Sequence, residues 1–514
     1  MGFEFDSATR RKLGYRLIDQ VDGYFSSLPE RAVQLPAEQR TYGPLNNPLP
    51  EIGEDAGKVL DDICGEMVDK GFHVPSATYF GLMNPTPTYI GFLAEALVAA
   101  LNPQLATLAR SQLASKIELE TVRWIGERVG WSGAFNGTFT SGGNEANFSG
   151  LALALTAKFP AAIEDGVASI GGQPILYASA EAHHSLDKSA GLLGIGRKAL
   201  RRIAVNAQLQ LDPEKLDQNI QQDRAAGRKP FCAVATAGTT NSGIVDDLIA
   251  ISDVCRHHDL WLHVDGAYGA SAIFSDRHRD LVRGIERADS LTIDPHKWLA
   301  MPFSAGLILT CHPDILERAF SVAGAYMPKA AGATLPDNAR ISTQWTRRMN
   351  SLKLWLTLRV HGRKAYEELI DRQLGLARSF AGWIESSEKF ELAAPQVLPI
   401  VTFRVKTSGM SAQQLATVHV AIVEEVTRDG QRWISETVAN NQSVIRMMVI
   451  SYLTGERHLI ASSSSFYWCA MSRSLVYRVR SLCPDNQSMR RDHLHRRPRP
   501  SESSCRLLLP NFVY

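Results

Sequence analysis

The sequence predicts an α/β fold, with a large domain on a mainly parallel sheet and a small α+β domain at its C-terminal side. Three observations carry this. The middle third alternates short β-branched runs with helical stripes, the pattern of parallel strands covered on both faces. From about Gln373 two longer strand-like runs flank one amphipathic helix. A chain of 514 residues also exceeds a single small core, so two or three domains are expected.

Taken in order, residues 1–76 read as a helical arm in which Leu13, Leu17 and Val21 share one face. Such an arm needs a domain or a partner subunit to pack on. The large domain is expected over 77–372. Its strands are expected near 137–140, 175–179, 232–237, 261–265, 290–294 and 305–310, short runs bounded by turn residues. Phe148, Leu151, Ala152, Leu155 and Phe159 form a helical stripe after the first of them. The small domain, 373–460, takes strands at 398–405 and 444–453 around a helix through Ser411–Arg428. Residues 461–514 hold nine arginines against three acids and no lysine, and read as a disordered Ser/Arg-rich tail.

Composition excludes several classes. A net charge of +2 argues against nucleic acid or an anionic membrane as partner. The seven scattered cysteines form no CxxC pair, as expected of reduced thiols in a cytoplasmic protein. The N-terminal stretch lacks an apolar signal core, and the most apolar window, interrupted by Glu95, is short for a bilayer span. Neither the Walker pattern nor GxGxxG occurs at the glycine-rich turns.

The chemistry concentrates at expected strand ends. Lys297 stands among Ile293, Pro295, Trp298 and Leu299, where a desolvated amine of lowered pKa can condense with an aldehyde; a lysine snorkelling from a strand end is the alternative. The Gly142-Gly143 turn opens a helix and offers free N–H groups around Gly143 and Asn144 to an anion. Asp265 ends a strand and is followed by small residues, while His183 and His184, Thr239 and Thr240, and Arg446 fall near other strand ends. Ligands of open α/β sheets bind at those ends. A pyridoxal 5'-phosphate site needs an anion cradle, a carboxylate for the ring nitrogen, a planar cover, a lysine and a guanidinium, and all five types are present. Singly, each has a structural alternative: a turn cap for the histidines, a core pair for Asp265, an ion pair for Arg446.

The windows TSGGNEANFSGL, AHHSLDKSAGLLGIG, ATAGTTNSGIVDDL, HVDGAYGASA, DPHKW and RMMVIS resemble the group II pyridoxal-phosphate-dependent amino-acid decarboxylases, which include the aromatic-amino-acid, histidine and glutamate decarboxylases. The resemblance runs from about Ala77 to Leu459. It implies the aspartate-aminotransferase-like (type I) fold, decarboxylation of an L-amino acid to its amine, and a homodimer with sites at the subunit interface. By resemblance Lys297 is the Schiff-base lysine, His183 covers the ring, Asp265 meets the ring nitrogen and Ala267 lies beneath it. Gly143, Asn144 and His296 approach the phosphate, Thr240 lies near the cofactor, and Arg446 meets the substrate carboxylate. Leu82, Met83 and Asn84 fall where relatives set side-chain preference; no metal is implied.

Two departures qualify this. Relatives carry a proton-donating tyrosine on a mobile loop, about where Asn338 or Ala339 stands here; the nearest upstream is Tyr326. Its loss would favour oxidative deamination to an aldehyde. The atypical tail also replaces a helix that relatives use to close the small domain. An aminotransferase and a catalytically impaired dimeric scaffold are the competing readings. The lining near Tyr79, Phe80 and Phe303 leans towards an aromatic or other bulky apolar substrate.

Overall fold

A computed structural model describes residues 3–40, 48–322, 337–406 and 409–471, with side chains to Phe466. Tyr326 and the sequence beyond Met471 lie outside the described residues.

The arm contains α1 (Ser7–Ser27) and α2 (Ala56–Lys70). Asp6 and Asp55 cap their first turns by accepting from the Thr9 and Lys58 amides. α1 buries none of its residues within the chain. The segment after it is pinned to the small domain, where the Val33 and Gln34 amides donate to the Gly430 carbonyl.

The large domain opens with α3 (Tyr89–Leu101) and α4 (Gln112–Val129), then alternates β1 (Asn136–Thr140), α5 (Gly143–Lys158), α6 (Ala162–Asp165) and β2 (Pro174–Ser179). It continues through α7 (Ser185–Leu192), β3 (Leu200–Ile203), α8 (Pro213–Ala225), β4 (Lys229–Thr236), α9 (Leu248–His257) and β5 (Trp261–Asp265). β6 (Ser290–Ile293), β7 (Gly306–Thr310) and α10 (Ile315–Phe320) follow. Seven strands form one sheet in the order β1-β7-β6-β5-β4-β2-β3, with β7 antiparallel to both neighbours and the other pairs parallel. The carboxyl ends of β1, β4, β5 and β6 therefore share one edge. α5 is buried on nearly every side because it runs under the sheet and is covered in turn by α7 and α10.

α11 spans Ser351–Ser386 and is broken at Gly362, whose φ of 72° suits glycine. The expected boundary between 372 and 373 falls inside it. Leu354, Ile370 and Leu374 belong to the large core, whereas Leu376, Phe380 and Ile384 belong to the small one. The small domain adds β8 (Phe390–Leu392), β9 (Ile400–Val405), α12 (Ala412–Thr427), β10 (Ser435–Ala439), β11 (Gln442–Met448) and α13 (Glu456–Met471). Its antiparallel sheet has the order β10-β11-β9-β8. α12 starts with a reciprocal capping box between Ser411 and Gln414.

Two further expectations are corrected. Residues 79–81, assigned to the large domain, pack on the small one: the Phe80 amide donates to the Trp433 carbonyl, and Tyr79 stacks on Trp433 with centroids 5.2 Å apart. The disordered tail expected from residue 461 starts too early, because α13 continues to Met471. Its serine hydroxyls at 462, 463, 464 and 465 donate to carbonyls four residues back, and Phe466 closes an aromatic cluster with Phe380, Phe390 and Phe403.

His419 lies buried in α12, its Nε2 accepting from the Val405 amide and its Nδ1 facing Ser443 Oγ. Burial, then the nearby Arg404 charge, pulls its pKa down to about 4. The unfolded chain binds a proton there from about pH 6.5 downwards, whereas the folded chain does so only near pH 4. Stability is therefore expected to fall as pH drops through that window, by up to about 1.4 kcal/mol per pH unit from this group. Urea unfolding at stepped pH checks this, and His419→Gln should flatten the slope.

Candidate active site

Lys297 sits one turn beyond β6. Its Nζ is 3.1 Å from Asp294 Oδ2, and its amide donates to the Asp294 carbonyl. Asp294 is almost wholly buried, and its Oδ1 has no partner. Above that carboxylate lies the turn between β1 and α5. Gly142 has φ 154° and ψ 177°, a region that only glycine occupies readily. A Cβ on Gly143 would stand 2.5 Å from Asp294 Oδ2. His296 lies against the same carboxylate at 3.8 Å and packs on Phe303. Burial pulls its pKa down, so the ring is neutral at neutral pH.

Asp265 ends β5. Its Oδ1 accepts from the Ala267 amide at 3.1 Å, and its Oδ2 accepts from Asn147 Nδ2 at 2.8 Å. Behind it runs a buried row of polar groups. Asn147 Oδ1 faces His263 Nε2 at 3.1 Å, His263 Nδ1 faces Ser290 Oγ at 2.8 Å, and Trp261 Nε1 donates to Ser290 Oγ at 2.8 Å. An amide oxygen only accepts and an indole N–H only donates, which assigns the tautomer. Each group then donates towards the next, and the row ends on the Asp265 carboxylate. Burial pulls the His263 pKa down to about 4, as this neutral arrangement requires. Chained donors strengthen one another in a low dielectric, and the last bond of the row is the one Asp265 Oδ2 accepts. Asn147→Leu is expected to cost about 1–3 kcal/mol of stability by leaving buried partners unsatisfied, with weaker cofactor retention. Denaturant unfolding and cofactor titration check it.

His183 follows β2 on the solvent side of this edge, feeling the charges of Asp265, Lys297 and Asp294. Desolvation by its neighbours is the main reason its pKa falls below the usual value. Ala267 is buried, and its carbonyl accepts from the Asp294 amide. Asn144 and Thr240 are exposed. The fully buried Thr239, by contrast, bonds Ser242 and the Ile244 amide, so it shapes the turn. Leu82 is exposed and Met83 and Asn84 are half-buried; Met83 packs on the large core.

Arg446 is committed elsewhere. Its guanidinium donates to the carbonyls of Thr240 at 2.8 Å and Gly81 at 3.1 Å, and to Ser435 Oγ. It thus clasps the 79–84 loop to both domains, and four of its five N–H groups are used. Tyr79 and Phe80 are buried in small-domain contacts. Asn338 turns inward, its Nδ2 donating to Ser115 Oγ at 2.9 Å, and Ala339 is buried beside it. Neither offers a proton donor to the site of its own chain.

Sequence reasoning passed over Asp294, Asn147, His263 and Gln373. The last holds the Trp298 indole N–H at 2.5 Å and donates to the Ile450 carbonyl, tying the lysine turn to the small domain. Asp294, Asn147 and His263 stand inside the windows DPHKW, TSGGNEANFSGL and HVDGAYGASA, whereas Gln373 had no local signal.

A lysine, a buried carboxylate and an N–H cradle at one sheet edge fit pyridoxal phosphate. The cradle admits no Cβ at 143, and Asp294 keeps one oxygen unpartnered beneath it. Fold and site define a pyridoxal-phosphate enzyme of the type I fold. A family model described as the pyridoxal-dependent decarboxylase conserved domain matches residues 37–406. The aromatic-L-amino-acid decarboxylase of Bacillus atrophaeus is 30% identical over 455 residues, covering 88% of this chain and 93% of its own. Phenylacetaldehyde synthase of Arabidopsis thaliana is 26% identical over 469 residues, covering 88% of this chain and 94% of its own. The crystal structure of mouse CSAD, 25% identical, has a TM-score of 0.84 and covers 91% of this chain and 99% of its own. The chain belongs to the pyridoxal-dependent decarboxylase family, and is a pyridoxal-phosphate-dependent amino-acid decarboxylase.

Proposed function

We propose that this enzyme decarboxylates an aromatic or other bulky apolar L-amino acid to its amine, with Lys297 holding the cofactor aldehyde and Asp265 its ring nitrogen. The observation that carries this is the meeting of Lys297, Asp265 and the Gly142-Gly143 turn at the carboxyl edge of the large sheet. Bound there, the cofactor supplies an electron sink for the pair left when the bond from Cα to the carboxylate breaks. Asp265, fed by its row of donors, holds a proton at the ring nitrogen. Neutral His183 would cover the ring, and Ala267 would lie beneath it. Asp294 Oδ2, 3.1 Å from Lys297 Nζ, positions that nitrogen. The amides of Gly143 and Asn144 at the start of α5, with His296, hold the phosphate. Arg446 acts chiefly by fixing the 79–84 loop, with one N–H left for a carboxylate. Leu82, Met83 and Asn84 line the side-chain end. The relative from Bacillus atrophaeus, named for aromatic L-amino acids, supports that substrate class.

A homodimer is part of the proposal. Tyr15, Val59, Ile63, Met67, Leu97 and Leu101 leave a broad apolar surface on the arm and α3, larger in extent than isolated exposed residues. His183, Thr240 and Leu82 stand open in a single chain, as a cleft closed by a second subunit would. Cytoplasmic residence is also proposed, since Cys64, Cys232, Cys255 and Cys311 are free thiols. Among the described residues no helix is long and apolar enough to cross a membrane.

Asn338 favours a second reading. With asparagine rather than tyrosine at 338, decarboxylation would couple to oxidation: amino acid, O2 and water give aldehyde, CO2, ammonia and H2O2. The aldehyde synthase among the relatives supports it. The test incubates cofactor-loaded protein with single L-amino acids and measures CO2, amine, aldehyde and peroxide. Amine equal to CO2 without peroxide supports the first reading; aldehyde with equal peroxide replaces it. Borohydride reduction and peptide mapping should leave the pyridoxyl tag on Lys297, and a tag elsewhere would overturn the assignment.

A further inference from the structure

At the edge of the large sheet opposite the lysine, three donors of different chemistry converge. Asp289 precedes β6, and Cys311 and His312 follow the antiparallel β7. One ligand atom from each lies within 4.8 Å of the others. Their backbone is fixed: the Cys311 amide and Thr310 Oγ1 both donate to the Asp289 carbonyl, at 3.2 and 2.8 Å, and the His312 amide donates to Thr310 Oγ1. The Leu262 amide anchors Asp289 Oδ2 at 2.7 Å, leaving Oδ1 facing His312 Nε2 at 2.8 Å. Trp261 packs on the imidazole, with ring centroids 4.8 Å apart. Beside the cluster a cavity of about 390 Å³ opens, lined also by Lys158 and Asp259.

We propose that Asp289, Cys311 and His312 bind a divalent cation of the zinc class. Calcium and magnesium prefer all-oxygen ligands. A set of one sulfur, one nitrogen and one oxygen suits zinc, which takes such donors at about 2.0–2.3 Å with water in the fourth position. The cavity supplies room for that water. Binding exchanges protons for metal: the thiol and the imidazole nitrogen each release a proton to solvent, and no electrons move. This role is separate from decarboxylation and does not rest on it.

The test uses full-length, cofactor-loaded protein, stripped with chelator and dialysed against Co2+ as the probe. One equivalent is expected, with the intense visible bands of tetrahedral cobalt, well away from cofactor absorption. Cys311→Ser and His312→Gln, both at partly exposed positions, should each lower affinity at least about tenfold and shift those bands. Zn2+ should protect Cys311 from iodoacetamide, read by peptide mapping in the parent protein. Unchanged cobalt binding in both variants would overturn the proposal, as would unprotected alkylation of Cys311 at saturating Zn2+.

Discussion

Asp265→Asn is expected to lower kcat/KM by about 10³-fold, the scale of removing one preorganised electrostatic contact to developing charge. The amide retains the size of the carboxylate and can still accept from Ala267, but it carries no charge to hold a proton at the ring nitrogen. It also ends the row of donors on a neutral group, so the alignment through Asn147 and His263 loses its purpose. Cofactor should still bind through Lys297, because Asp294 and the Gly142-Gly143 turn are untouched. The measurement is steady-state decarboxylation beside the absorbance spectrum of the loaded variant. A fall below tenfold would show that the ring nitrogen does not depend on Asp265.

Gly143→Ala is expected to weaken cofactor binding by about ten- to a hundredfold, equivalent to about 1–3 kcal/mol of overpacking. The new methyl would meet both Asp294 carboxylate oxygens, at 2.5 and 3.2 Å. That carboxylate is buried and engaged by Lys297, so it has little space to retreat. Either the start of α5 moves outward, spoiling the N–H cradle, or Asp294 turns and releases Lys297. Cofactor titration of the stripped variant reads the loss, and circular dichroism establishes that the fold survives. Unchanged affinity would mean that the phosphate sits elsewhere.

Much of the large domain was legible because its strands are short, apolar and punctuated. β1, β2, β4, β5, β6 and β7 lie within a few residues of expectation. β3 was missed because its two middle residues, Arg201 and Arg202, interrupt the apolar run on an edge strand. β10 alternates burial too weakly to stand out. The tail boundary failed for a different reason. Serines read as disorder by composition, yet at 462–465 each hydroxyl bonds the carbonyl of the preceding turn. At the site, Asn147 stands inside the window TSGGNEANFSGL, but what it pairs with was not legible there. Its partner Asp265 lies 118 positions away, and no local pattern reports a pairing at that range. Arg446 was read as a substrate-carboxylate arginine or a structural ion pair, not as a clasp on the Thr240 and Gly81 carbonyls, which depends on how two domains meet.

α11 has one further consequence. The same rod supplies side chains to both hydrophobic interiors, and Gln373 within it grips the lysine turn on one side and the Ile450 carbonyl on the other. Neither interior can melt without stripping apolar surface from the other, so the two should denature as one cooperative block, and damage to the small sheet should be felt as a loosened Lys297 turn.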